Sequence, residues 1–74
     1  MKHLNIISKS FGLEKKKIKA EEKVENFNWD SMTVINLIGI LDEKFSKSLD
    51  LKKLKKIVYF KDIDELIEKT IKKK

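Results

Sequence analysis

The hydrophobic residues of this chain recur at helical spacing, and the first such set lies near its start. Leu4, Ile7 and Phe11 are three and four residues apart, so they share one face of a helix. Gly12 follows directly, where the end of a helix favours a residue in the left-handed conformation. We therefore predict a short first helix that ends before Gly12.

The strongest helical pattern begins after Ser31. Its apolar residues stand at i, i+3, i+4, i+7 and i+11, which places them within one arc facing a core. They are Val34, Leu37, Ile38, Leu41 and Phe45. The polar residues 46–48 end the pattern, so we predict a second, longer helix between these limits.

Two further segments complete the pattern. Leu51, Leu54 and Val58 predict a short helical segment. A longer apolar stripe then predicts the last helix, and its members are Phe60, Ile63, Leu66, Ile67 and Ile71. The predicted fold is all-α, a small bundle of three main helices plus one short helix, in one domain over residues 1–74.

Residues 19–29, before the second helix, show no sustained period. Val24, Phe27 and Trp29 are predicted to anchor this long loop to the core. The preceding run 14–17 is predicted to form a solvated turn. A loop of this length is unusual in a compact domain unless it has a function.

The composition limits the chemistry of the chain. It has no cysteine, which excludes disulfides and thiolate metal sites, so any thiol would have to come from an attached group. No apolar run approaches the roughly 20 residues needed to cross a bilayer, and no signal peptide is apparent. We therefore expect a soluble, cytoplasmic and monomeric protein with no membrane partner.

The net charge of +6 raises the question of nucleic-acid binding. All 18 basic residues are Lys, whereas the bidentate contacts typical of nucleic-acid readers come from Arg. We therefore predict a Lys-rich solvated surface and no specific nucleic-acid partner. The alternative is a basic helical interaction domain that binds nucleic acid or an anionic surface.

Ser31 has two interpretations. Asp and Ser are both favoured helix caps, so Asp30 or Ser31 could simply satisfy the first amides of the helix. A helix start is also where a phosphate group is best received. The sequence offers no catalytic base for the serine. His3 is the only histidine and is predicted to be a solvated terminal residue, and the chain has no Gly-x-Ser-x-Gly elbow. A serine modified by another enzyme needs no such base, and we predict no enzymatic activity.

A second apolar patch lies on the helix that Ser31 begins. Met32 and Ile35 point away from the core arc. Exposed apolar residues beside a modified serine predict a partner-docking face, made of Met32, Ile35, Asn36, Gly39, Asp42 and Glu43. The alternative is that Met32 and Ile35 are buried under the loop 19–29.

The run Trp29-Asp30-Ser31-Met32 resembles the Asp-Ser-Leu attachment motif of acyl carrier proteins. The resemblance covers nearly the whole chain. It continues through the following helix at Val34, Leu37, Ile38, Leu41, Asp42, Glu43 and Phe45, and through Phe60, Asp62, Ile63, Glu65, Leu66 and Ile67. Upstream, Phe11-Gly12-Leu13 and Ile18 fit the end of the first helix and the loop after it.

The resemblance implies a carrier function. Ser31 would accept 4'-phosphopantetheine from coenzyme A through a separate phosphopantetheinyl transferase, and Asp30 would support that chemistry. The attached thiol would carry acyl or aminoacyl groups as thioesters, as carriers in fatty acid biosynthesis do. Loading and acyl-transfer enzymes would recognise the second helix.

The chain departs from this family in its charge. Typical fatty-acid carriers have acids just after the serine, where this chain has Thr33 and Asn36, and Gly39 replaces a larger apolar residue. Residues 52–61 are basic where the family is usually acidic. We therefore expect partners with a less basic or acidic docking site, in a specialised pathway rather than bulk fatty-acid synthesis.

Overall fold

A computed structural model describes residues 1–27 and 29–72, and it contains four α-helices. They are α1 (Leu4–Phe11), α2 (Ser31–Phe45), α3 (Leu51–Leu54) and α4 (Phe60–Lys72). Two short 3₁₀ turns, Lys15–Lys17 and Val24–Asn26, lie between α1 and α2. The described residues form no strand, so the prediction of three main helices and one short helix is confirmed.

The chain is compact for its length. Its radius of gyration is 11.1 Å, close to the value of about 11 Å expected for a folded domain of this size. Helix α1 packs mainly on α2 and also on α4. The core therefore lies between these three helices.

Left-handed residues end the first two helices. Gly12 has φ 66° and donates its amide to the Ser8 carbonyl, as predicted for the end of α1. Ser46 has φ 54° and donates its amide to the Asp42 carbonyl at 2.9 Å. A non-glycine residue in this conformation is uncommon, and it stops α2 directly after Phe45.

The predicted apolar stripes supply most of the core. The side chains that are almost fully buried are Ile7, Val24, Leu37, Leu41, Phe60, Ile63 and Ile67. One predicted core position is wrong, because Phe45 is 37% exposed. Leu51 and Val58, which predicted the short helix, are 59% and 45% exposed, and Val58 lies outside that helix. Phe45 is the last residue of α2, where the helix extends past the core.

The loop before α2 is tied to the beginning of α4. The Val24 amide donates to the Val58 carbonyl at 2.9 Å, and the Phe60 amide donates to the Glu22 carbonyl at 3.1 Å. Lys61 donates to the Ala20 carbonyl at 3.0 Å. These long-range bonds hold a segment that has little regular structure of its own.

The prediction that His3 is a solvated terminal residue is wrong. Its backbone amide donates to Asp64 at 2.7 Å, and its ring Nε2 lies 2.6 Å from Glu68 Oε2. Lys72 Nζ lies 3.2 Å from the other oxygen of Glu68. The hydrogen bond from His3, and next that from Lys72, lowers the pKa of Glu68 from its ordinary value.

Candidate functional site

An aromatic cluster fixes the chain just before α2. Phe60 is fully buried and meets Phe11 edge-on at 5.0 Å and Phe27 at 5.3 Å between ring centroids. Phe11 in turn stacks on Trp29 at 5.7 Å with an interplanar angle of 16°. The predicted anchoring by Phe27 and Trp29 is thereby confirmed. Because Trp29 is two residues before Ser31, this stack sets where α2 begins.

Asp30 is the residue that caps α2. Its Oδ1 accepts a hydrogen bond from the Thr33 amide at 3.0 Å, and its carbonyl accepts one from Val34 at 3.1 Å. Its backbone is extended, as expected for a cap. Of the two residues that the sequence offered for this role, Asp30 therefore performs it.

Ser31 is the first residue of α2 and is exposed. Its hydroxyl has no hydrogen-bond partner among the described residues. The first amides of a helix lack acceptors within it, and Asp30 satisfies only those of Thr33 and Val34. The Ser31 hydroxyl thus stands beside two amides, its own and that of Met32, at the positive end of the helix dipole.

The apolar side chains after Ser31 face outward. Met32 is 66% exposed and Ile35 is 61% exposed, so the alternative that they are buried under the loop is wrong. The other members of the predicted docking face are exposed as well: Asn36, Gly39, Asp42 and Glu43. At helical spacing, Met32, Ile35 and Gly39 fall on one side of α2.

Thr33 does not belong to this exposed face. It is only 4% exposed, so its side chain is part of the interior. Compared with typical fatty-acid carriers, Thr33 and Asn36 both stand at positions where an acid is missing. Of these two, only Asn36 lies on the exposed side of α2.

A shallow groove runs between α1 and α2 beside the apolar pair. Its lining residues are Lys9, Ile35, Asn36, Gly39, Ile40 and Glu43. The Asn36 amide group donates to the Ser10 carbonyl at 3.4 Å, which ties α2 to α1. A Cβ atom at Gly39 would meet nothing within 4 Å, so packing does not require glycine there.

Ile40 and Lys9 are the members of this groove that the sequence did not predict, and Lys9 belongs to a different helix from the others. Lys9 lies on α1, and only the packing of α1 against α2 brings it beside Ile35 and Glu43. The spacing of residues within one helix does not show which residues of another helix lie beside it. The groove therefore carries both signs of charge next to exposed apolar surface.

Two features are absent from the described residues, a metal-binding group and a membrane-spanning helix. In residues 1–27 and 29–72, no three His, Asp or Glu side chains come together as a metal-binding group. The helices in this part of the chain include none that is both long and apolar enough to span a bilayer. The distinct chemical feature of the site is an exposed hydroxyl at a capped helix start, beside the exposed apolar side chains of Met32 and Ile35.

No protein-family model matches the chain, and a search of curated proteins gives no significant match either.

Proposed function

We propose that this protein is an acyl carrier protein that bears 4'-phosphopantetheine on Ser31. The observation that supports the proposal is that Asp30, and not Ser31, caps the start of α2. Asp30 caps the helix at 3.0 Å, which leaves the exposed Ser31 hydroxyl without a partner among the described residues. A serine present only as a helix cap would be engaged with a backbone amide.

The surroundings of Ser31 suit an attached phosphodiester. Its negative charge would lie at the positive end of α2, where the amides of Ser31 and Met32 are available to it. The exposed position leaves room for a long substituent to extend into solvent. When attached, the group supplies a terminal thiol that holds acyl or aminoacyl groups as thioesters, and the chain itself has no cysteine to do so.

The modification needs a second protein. In the proposed reaction the Ser31 oxygen attacks the coenzyme A phosphorus that bears the pantetheine arm. The bond from that phosphorus to the nucleotide breaks, and adenosine 3',5'-bisphosphate leaves. The serine proton passes to a base of the phosphopantetheinyl transferase. The single histidine of this chain, His3, is engaged with Glu68.

The exposed side of α2 is the proposed docking face for that transferase and for the loading and acyl-transfer enzymes. Met32 and Ile35 offer apolar contact directly after the serine. Asn36 and Gly39 give the face less negative charge and less bulk than a typical fatty-acid carrier has. The protein therefore serves a specialised pathway whose enzymes have less basic or acidic docking sites.

Intact mass spectrometry tests the attachment. Incubation with coenzyme A and a promiscuous phosphopantetheinyl transferase should add one phosphopantetheine to the wild type and none to Ser31→Ala. Ser48→Ala is the matched control, since Ser48 is also exposed and should leave the modification unchanged. An unmodified wild type, under conditions that convert other carriers, would refute the proposal.

A turnover assay tests the choice of partners. Acyl-loaded protein should be a poor substrate for housekeeping elongation enzymes. Asn36→Glu combined with Gly39→Met should improve it, because these changes restore charge and bulk where the structure has open space. Turnover equal to that of a standard acidic carrier would contradict the specialised role. Slow turnover that the double variant leaves unchanged would mean that the docking face is misassigned.

A further inference from the structure

Residues 51–58, here called the basic segment, combine unpaired lysines with exposed apolar side chains. Its lysines are all exposed: Lys52, Lys53, Lys55 and Lys56. Leu51 is 59% exposed and Val58 is 45% exposed, at the two ends of the segment. The segment therefore combines positive charge with exposed apolar side chains on the surface of the domain.

The basic segment is held firmly against the domain. Leu54 is 4% exposed and points into the core. Asp50 Oδ1 accepts a hydrogen bond from the Lys52 amide at 2.9 Å. At the other end, Val58 donates to Asp62 at 3.1 Å and accepts from Val24 at 2.9 Å.

This anchoring determines which lysines face outward. With about 100° between successive residues, Lys52 lies nearly opposite the buried Leu54 within α3, and the exposed Lys55 and Lys56 follow directly after the helix ends. Leu51 lies on the flank of the same surface. The exposed apolar and basic groups are thus presented together and not dispersed around the domain.

Acids of α4 lie near part of the basic segment, since Asp62 and Glu65 line a pocket with Lys53 and Lys56. Residues 51–61 contain no Asp or Glu. In the described part of the chain, none of the four ammonium groups forms an ion pair, whereas Lys69 and Lys72 each pair with a glutamate of α4. Lysines that stabilise no internal contact remain available to an external anion.

We propose that the basic segment binds the surface of an anionic lipid bilayer, a property independent of the carrier function. Lysine ammonium groups would meet lipid phosphates while their apolar stems and Leu51 reach the headgroup boundary. The earlier expectation of no membrane partner rested on the lack of a spanning segment, which does not bear on surface contact. The absence of Arg and the exposed Leu51 and Val58 favour lipid over nucleic acid.

Co-sedimentation with vesicles tests the proposal. The wild type should bind vesicles of phosphatidylcholine with one third phosphatidylglycerol, and not pure phosphatidylcholine. Each lysine near such a surface contributes about fivefold to binding, so Lys52→Gln with Lys55→Gln should weaken it about thirtyfold. Leu51→Ala, which leaves the charge unchanged, should weaken it about fivefold.

Lys15→Gln with Lys17→Gln is the matched control. It removes the same charge from an exposed lysine run that has no exposed apolar neighbour in its 3₁₀ turn. This variant should bind nearly as well as the wild type. Equal losses of binding in the two double variants would mean that only the net charge of the protein matters, which would overturn the proposal. An absence of binding to the anionic vesicles would also overturn it. Tighter binding to an RNA or DNA duplex than to vesicles at the same salt would overturn it in favour of nucleic acid.

Discussion

Replacement of Asp30 by alanine should destabilise the domain, whereas replacement of Ser31 should not. Asp30 Oδ1 accepts the Thr33 amide at 3.0 Å, and loss of such a cap costs about 1 kcal/mol, within a range of about 0.5–2. The Ser31 hydroxyl has no partner among the described residues, so Ser31→Ala should change the free energy of unfolding by less than about 0.5 kcal/mol.

The cost of losing the cap is a sizeable part of the total stability. A domain of this length is expected to have a free energy of unfolding of about 4–11 kcal/mol. With a urea m-value of about 1 kcal/mol/M, Asp30→Ala should lower the urea midpoint by roughly 1 M. In a thermal scan the midpoint should fall by about 4–8 °C.

Equilibrium urea unfolding provides the assay. Trp29 is the single tryptophan, and it stacks on Phe11 next to the cap, so its fluorescence reports the site directly. Asp30→Asn is the matched control, because its side-chain oxygen still accepts from the Thr33 amide. If Ser31→Ala costs as much as Asp30→Ala, or if Asp30→Asn is as unstable as Asp30→Ala, the assignment of the cap is wrong.

Three further measurements test the fold. Gly12→Ala should cost about 1–2 kcal/mol in urea unfolding because φ is 66°, and a smaller loss would contradict the left-handed assignment. Phe60→Ala should cost about 3–5 kcal/mol, a large share of the expected stability, whereas Phe60→Leu should lose much less; equal losses would argue against the aromatic cluster. The lowered pKa of Glu68 stabilises the fold fully above the ordinary value of 4.5, and this contribution is lost as the pH falls through the lower folded value. Glu68→Gln should therefore show a shallower acid decline in urea midpoint than the wild type, and parallel declines would exclude the His3–Glu68 contact as a source.

Hydrophobic spacing predicted the helices because each stripe is a local property of the chain. The residues of α4 show this best, since Phe60, Ile63 and Ile67 are all fully buried as expected. The same spacing placed Phe45 in the core, where it is 37% exposed. Periodicity gives the direction of a side chain but not how far the neighbouring helices extend.

The errors at His3 and Thr33 have a different origin. His3 contacts Glu68, which is 65 residues away in sequence, and only the packing of α1 beside α4 brings them together. Thr33 is polar, and its burial at 4% exposed depends on tertiary packing that the spacing of residues within α2 does not show. At the candidate site, the sequence predicted the exposure of Met32 and Ile35 only as one of two alternatives.

The bonds between the loop and α4 have a consequence for the order of events during synthesis. Glu22 and Phe60 are 38 residues apart. Their backbone hydrogen bond of 3.1 Å cannot form until Phe60 has emerged from the ribosome. The buried Phe60 ring is likewise the centre against which Phe11 and Phe27 pack. A nascent chain that stops short of α4 therefore lacks the backbone partners of the loop and the Phe60 ring that packs against Phe11 and Phe27. Under the proposed carrier function, a transferase that recognises the folded surface would act only after translation has passed α4, so unfinished chains would not consume coenzyme A.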